Sequence, residues 1–175
     1  MILLLGGARS GKSATAVRLA GDTGLPVTFV ATALAGDEEM AHKIRRHREA
    51  RPPAWKTIEA PLDLLGAIAS AADVDFLVID CLTLWVSNLL GEGADAADID
   101  ADAEAIVKEL HGRRCVVVSN EVGLGIVPVN DLARSFRDVL GSVNARFAAS
   151  ADRALFMVAG RALDLVAVES VTGAG

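Results

Sequence analysis

Short runs dominated by apolar residues punctuate the chain at ILLL (Ile2–Leu5), VTFVATA (Val27–Ala33), FLVID (Phe76–Asp80), CVVVSNE (Cys115–Glu121) and ALFMVAG (Ala154–Gly160). Runs this brief and this continuous predict strands of a parallel sheet buried on both faces. Between them the periodicity predicts helices over Lys12–Ala20, Asp37–Ala50, Leu62–Ala72, Leu82–Leu90 and Val129–Ser150. The helix over Asp37–Ala50 carries acids in its first turn and bases in its last, complementing the helix dipole, and Pro52 and Pro53 stop it. GEGADAADIDADAEA (Gly91–Ala105) is acidic and low in complexity, so it reads as a mobile loop leading into a helix that ends near His111. Strand and helix alternate throughout, which predicts an α/β fold with a mainly parallel sheet covered by helices on both faces. No internal repeat or long linker divides residues 1–175, and the chain reads as one domain.

Composition sharpens this picture. Apolar residues make up 52% of the chain, yet aromatics are only 4% and tyrosine is absent. That suits a closely packed α/β or α domain better than a β-sandwich or a disordered chain. The formal net charge of −6 lacks the basic excess of a nucleic-acid-binding domain. The one basic cluster, KIRRHREAR (Lys43–Arg51), is short and suits a small anion. Cys81 and Cys115 stand at strand edges without C-x-x-C spacing, so they read as small core side chains in a reducing compartment rather than zinc ligands. MILLLGG lacks the features of a signal peptide, and no apolar run reaches the roughly 18–20 residues of a membrane helix. The expected location is the cytoplasm.

GGARSGKS (Gly6–Ser13) carries the first chemistry. Gly6, Gly11, Lys12 and Ser13 fit G-x-x-x-x-G-K-S/T, directly after an apolar strand and at the start of a helix. Along Gly6, Gly7, Ala8, Arg9, Ser10 and Gly11 the backbone can turn its N–H groups onto phosphate oxygens. Lys12 adds a point charge at the β/γ end, and the Ser13 hydroxyl can ligate Mg²⁺. The following helix directs its dipole at the same anion. The expected fold is therefore a P-loop NTPase of the RecA-like kind. FLVID then sets the Asp80 carboxylate at the C-terminal edge of the sheet. There it can hold the metal, cap the helix that begins at Leu82, or do both. Glu121, at the end of another strand, is a second candidate for the metal, and spacing alone leaves both open.

His47 stands out among the three histidines. It lies four residues from both Lys43 and Arg51 and is flanked by Arg46 and Arg48, so its helix face is basic. Such surroundings favour the uncharged imidazole that a nucleophile or base requires, while the same arginines could hold a polyphosphate. The competing reading is a solvated basic face with an incidental histidine. From the residues alone, a small-molecule kinase or nucleotidyltransferase leads. The rival is a P-loop ATPase acting as a switch or motor. No N-K-x-D guanine motif supports a GTPase switch, and a chain of one domain without partner modules favours group transfer.

Taken in order from Met1 to about Gly160, GGARSGKS, FVATA, DEEMAHKIRRHREARPPAWKTIEAP, LVIDCLTLWVSNLL and VVSNEVGLGIVPVNDLARSFRDVLGSVNARFAA form a further pattern. It resembles the bifunctional adenosylcobinamide kinase/adenosylcobinamide-phosphate guanylyltransferase family of cobalamin biosynthesis. The pairing of RSGKS with NEVGLGIVP carries most of the specificity, while Gly91–Ala103 matches nothing in the family. The resemblance implies two reactions. A nucleoside triphosphate first phosphorylates the aminopropanol hydroxyl of adenosylcobinamide. GTP then loses pyrophosphate to leave GMP on a histidine, from which it passes to the phosphorylated cobinamide, giving adenosylcobinamide-GDP.

The resemblance also implies GTP and ATP as substrates, Mg²⁺ as cofactor, and a homo-oligomer, with a trimer the expected form. Matching HREARPPAW puts the guanylylated histidine on His47; family members often carry a second histidine just before it, where this chain has Arg46. Nucleotide contacts fall on Gly6–Ser13, on Ala31, Thr32 and Ala33, on Arg48, Glu49, Ala50 and Arg51, and on Glu59 and Asp80. Within that set Arg48 and Arg51 can neutralise phosphates. Glu59 or Asp80 can accept from the guanine N1–H and N2–H₂, a role that competes with metal binding for Asp80. Lys12 joins His47 as a catalytic group, stabilising charge on the departing pyrophosphate.

Overall fold

A computed structural model describes residues 1–36, 38–49 and 51–168. The elements run β1 (Ile2–Gly6), α1 (Lys12–Gly21), β2 (Val27–Ala31), α2 (Glu38–Glu49), β3 (Lys56–Glu59), α3 (Leu64–Ala69) and β4 (Phe76–Asp80). They continue through α4 (Leu82–Gly91), α5 (Ala96–Glu109), β5 (Cys115–Val118), α6 (Asp131–Ser150), β6 (Arg153–Val158) and β7 (Arg161–Leu165). The strands form a seven-stranded sheet ordered β3-β2-β4-β5-β1-β6-β7, parallel except for the final pairing of β7 with β6.

Because successive strand residues point to opposite faces, each apolar run supplies two cores. Leu3, Val30, Leu77, Ile79 and Val117 face α3, α4, α5 and α6, packing with Leu64, Ile68, Trp85, Ile106 and Phe147. Leu4, Phe29, Val78, Val116 and Val118 face the other way, onto Ala16 and Ala20 of α1. The small alanines let α1 lie close to the sheet, which brings its first turn over the strand ends. Both cysteines are buried and free, as expected of core side chains.

Several expectations need correction. Most of the acidic segment Gly91–Ala105 is helix α5 rather than a mobile loop. Asp95 caps it by accepting from the Asp98 N–H at 2.9 Å, and Ile99, Ala103 and Ile106 form a buried stripe at helical spacing. Two edge strands escaped the apolar pattern. β3 is only KTIE and is at most half buried, and all five residues of β7 are exposed. ALFMVAG therefore does not close the series: Ala159 and Gly160, with φ of 50° and 75°, make a two-residue turn of the primed kind into β7. The strands expected over Val27–Ala33 and Cys115–Glu121 stop at Ala31 and Val118, and the helices expected over Leu62–Ala72 and from Val129 span Leu64–Ala69 and start at Asp131. Asp37 and Ala50, the expected ends of the second helix, lie outside the described residues.

Helix α6 separates packing from surface pairing. Phe147 is fully buried, whereas Arg146, next to it, reaches across to Asp100 of α5 at the surface. Phe147→Ala should cost about 3–5 kcal/mol in urea unfolding. Arg146→Ala should cost about 1 kcal/mol or less, because both partners keep access to water.

Candidate active site

The phosphate loop is shaped by close backbone approaches. Gly6 has φ 145°, and a Cβ there would stand 2.2 Å from the Met157 carbonyl oxygen of β6, so no side chain is tolerated where β1 runs into the loop. Gly11 takes φ 97° as the N-cap of α1, whose first turn contains no acid to offset the positive end of the helix dipole. Gly7, Ala8 and Arg9 are exposed, while Ser10 and Lys12 are buried. Lys12 Nζ donates to the carbonyls of Gly6 and Gly7, both at 2.7 Å, and to Ser10 Oγ at 3.3 Å. Burial lowers the pKa of this ammonium, opposed by Cys81 and Asp80. From the far side, the Gly160 N–H of the β6–β7 turn donates to the Ser10 carbonyl at 3.0 Å and braces the loop.

Asp80 ends β4 at the same edge of the sheet. Burial raises the pKa of its carboxyl, while Ser13, His47, Arg51 and Lys12 all pull it down. The phosphate loop and the basic helix, far apart in sequence, thus both bear on the charge of one carboxylate. Asp80 does not cap α4: the N-cap is Cys81, which makes no side-chain capping bond.

On the other side stand the residues of α2 and β3. His47 and Arg48 are in the last turn of α2, and Arg48 lies 3.8 Å from Glu59 in a pairing exposed on both sides. Arg51 sits over the Phe29 ring, 3.4 Å from its centroid, a stacking worth about 0.5–2 kcal/mol. Its pKa is lowered by burial, with Asp80 acting against that and Arg48 and Glu59 nearby. Glu59 pairs in register with Ala31, so β2 and β3 bring these residues to the same edge. His47 is half buried and its surroundings are not purely basic, since its charge and that of Asp80 are near enough to influence one another; Glu49 is exposed. Ala50 lies outside the described residues.

Thr32 has a bracing position that sequence reasoning did not foresee. Its buried Oγ1 donates to the Cys81 carbonyl at 2.7 Å and accepts the Cys81 N–H at 2.8 Å, while Ala31 and Ala33 flank it half buried. Asn88 Nδ2 in turn donates to the Thr32 carbonyl at 2.8 Å and to the Pro61 carbonyl at 3.0 Å. A second polar chain holds the end of β5. Thr83 Oγ1 accepts the Asn120 N–H at 2.7 Å, and Asn144 Nδ2 donates to the Asn120 carbonyl at 3.0 Å. Buried polar groups inside LTLWVSNLL and within α6 were the available signal, since such groups need partners.

Comparison with known proteins bears directly on this arrangement. A family model described as "Cobinamide kinase / cobinamide phosphate guanyltransferase" matches residues 2–165. The bifunctional adenosylcobalamin biosynthesis protein CobP of Pseudomonas aeruginosa is 46% identical over 167 residues, covering 93% of this chain and 95% of that protein. CobU of Salmonella typhimurium, of the same description, is 44% identical over 176 residues, covering 91% and 96%. Among solved structures, a type III secretion ATPase of pathogenic bacteria aligns with TM-score 0.55 at 11% identity, covering 98% of this chain and 52% of that one. The RadB recombinase aligns with TM-score 0.50 at 12% identity, covering 89% and 72%. Those two likenesses establish the expected RecA-like P-loop fold and nothing more. The sequence relationships go further: with a phosphate loop, a strand-end acid and a basic helix meeting at one edge, the chain belongs to the cobinamide kinase/cobinamide phosphate guanyltransferase family.

Proposed function

We propose that this chain phosphorylates adenosylcobinamide and then guanylylates the product, using one phosphate loop and His47 as the covalent carrier of GMP. The arrangement that carries this reading is one sheet edge at which the phosphate loop follows β1, Asp80 ends β4, and β3 ends at Glu59, which is reached by Arg48 from the same last turn of α2 that bears His47. It sets a nucleophile-bearing helix beside a phosphate cradle. An ATPase that only switches conformation has no need of that pairing.

In the kinase step the phosphate loop and α1 hold the triphosphate, with Lys12 at its β/γ end. In the transfer step a ring nitrogen of His47 attacks the α-phosphorus of GTP. The N–P bond forms as the bond to the bridging oxygen breaks, and pyrophosphate leaves with the electron pair. Lys12, the loop N–H groups and Arg51 stabilise the charge that develops. A phosphate oxygen of the phosphorylated acceptor then attacks the same phosphorus, and the N–P electrons return to the ring. Arg48 and Glu49 line this side, Ala31, Thr32 and Ala33 lie about the nucleoside, and Glu59 accepts from the guanine edge; a contact by Ala50 rests on the family pattern alone.

Mg²⁺ fits the donors present. Among the described residues no group of three or more His, Cys, Asp or Glu could hold a metal, but this ion takes one or two protein oxygens and completes its shell with phosphate and water. Ser13 and Asp80 are those oxygens. When bound, the ion neutralises polyphosphate charge. Two features remain on the family's side of the reading: a homo-oligomer, with a trimer as the form to look for, and the cytoplasm as the location. Among the described residues no helix is long and apolar enough to cross a membrane.

Asp80 should trade stability for this role. Its folded-state pKa is raised above the ordinary 3.8, so the folded chain holds the proton to higher pH than the unfolded chain does. Stability therefore falls as pH rises from about 3.8 through the folded value. Asp80→Asn should melt higher than the parent at pH 7 and converge with it in acid, while both turnovers drop about 100-fold or more.

The function itself is tested with α-labelled GTP and Mg²⁺, on the parent and on His47→Ala. Label that survives alkali and is released by acid is expected on the parent alone, with the variant still phosphorylating adenosylcobinamide. No label on a folded, GTP-binding parent would remove the covalent mechanism.

A further inference from the structure

Two acids stand at the phosphate-binding edge, one ending β4 and one shortly after the neighbouring β5, and the reactions described above use only the first, Asp80. The second is Glu121. β5, which leads to it, lies between β1 and β4 in the sheet, so the chain leaving β5 passes between the phosphate loop and Asp80. The Glu121 N–H donates to the Gly6 carbonyl at 3.1 Å, the same oxygen that accepts Lys12 Nζ at 2.7 Å. That shared acceptor ties Glu121 to the Lys12 end of the loop, where the transferable phosphoryl group of a triphosphate belongs.

The position is held firmly. Asn120, just before it, is fixed through its N–H by Thr83 and through its carbonyl by Asn144. The carboxylate is fixed too, since Oε1 accepts the Gly123 N–H. A Cβ at residue 123 would stand 2.9 Å from that oxygen, so a glycine there lets the backbone approach the acid. The chemical settings of the two acids also differ. Lys12, Arg51, His47 and the Ser13 hydroxyl all favour the charged form of Asp80, which suits a metal-binding carboxylate. Glu121 instead meets a backbone N–H and borders an apolar segment in which Leu124, Ile126 and Val129 are 80%, 98% and 96% exposed. A bulky organic acceptor finds nonpolar ground there, beside the acid.

From this placement we infer that Glu121 is the general base of the kinase step, a role that rests on the functional reading above. The hydroxyl oxygen of the cobinamide side chain attacks the γ-phosphorus. Its proton passes to the Glu121 carboxylate and then to solvent. The new O–P bond forms as the β–γ bridging bond breaks, and the nucleoside diphosphate leaves with the electron pair. Guanylyl transfer needs no such base, because its acceptor is a phosphate oxygen and its first nucleophile is His47.

Glu121→Gln tests this cleanly, because the amide oxygen can still accept the Gly123 N–H while losing the capacity to take a proton. The expected result is a fall of about 10²–10⁴-fold in kcat for cobinamide phosphorylation with KM for the acceptor little changed. Acid-labile labelling of His47 by α-labelled GTP should be undiminished, which also reports that the variant is folded. Glu121→Asp, which keeps the carboxylate, should recover part of the kinase rate. A Gln variant within about tenfold of the parent would overturn the assignment. So would parallel loss of labelling, which would make Glu121 part of the metal or loop machinery that both reactions share. A parent that labels His47 but phosphorylates no cobinamide would fail the functional reading itself, a result distinct from either.

Discussion

Burying a carboxylate at the edge of a parallel sheet is the constraint around which the molecule is organised. Asp80 is driven towards its neutral form by desolvation, and it is drawn back by groups from several parts of the chain. Ser13 and Lys12 come from the start of α1, His47 from the last turn of α2, and Arg51 from the link into β3. None of these is near Asp80 in sequence, and each arrives because its own element packs on the sheet. Ion pairing alone would not assemble them, since a buried charge costs more in lost hydration than a loose partner returns. The cores on the two sheet faces do that work, and the site inherits its geometry from them.

Backbone approaches then convert the sheet edge into a cradle. Gly6 lies against the Met157 carbonyl, and Gly160 donates to Ser10, so β6 and its turn press on the loop from one side. On the other, Thr32 grips both backbone groups of Cys81 and thereby fixes the residue after Asp80. Hydroxyl and amide groups turned inward beside the strand ends would be costly without partners. Here Thr32, Thr83, Asn88 and Asn144 are spent on neighbouring main chain. The exposed strand β7 has a clear structural use in this scheme: it turns β6 back and carries the Gly160 turn against the loop.

The parts of the fold readable in the sequence are those where one physical signal dominates. Strands buried on both faces must be largely apolar, so β1, β2, β4 and β5 declare themselves, and β6, only partly buried, is still read from its run ALFMV. The phosphate loop declares itself because its glycines, lysine and serine each answer to a stated need. β3 and β7 stand at the sheet edges, where one side is free of packing, and KTIE or RALDL carry no continuous apolar signal. α5 was hidden by composition: its alanines are good helix formers and its aspartates look like solvated linker. The stripe of Ile99, Ala103 and Ile106 was there to be read beneath them. In the candidate site, charge and spacing singled out Lys12, Ser13, Asp80, His47 and Arg51. The bracing roles of Thr32 and Asn144 were not read, because a polar residue in an apolar run or on a helix shows that a partner is needed without showing which distant backbone group supplies it.

Two group transfers on one nucleotide site require that different phosphorus atoms meet different nucleophiles without mutual interference. The strand order offers a physical basis for that separation. Asp80 sits on β4, with β2 and β3 to one side and β5 and β1 to the other. His47 belongs to α2, which links β2 to β3 and whose Arg48 reaches Glu59, so it approaches from the β2 side. Glu121 follows β5 and is tied to Gly6, so an acceptor hydroxyl activated there approaches from the opposite side, nearer Lys12. On the proposed roles, a triphosphate lying along the loop would present its γ-phosphorus to one flank and its α-phosphorus to the other. A sheet with β4 and β1 directly adjacent would have no strand end between them, and the two nucleophiles would have to share a single approach. On the proposed roles, the intervening strand gives each reaction its own.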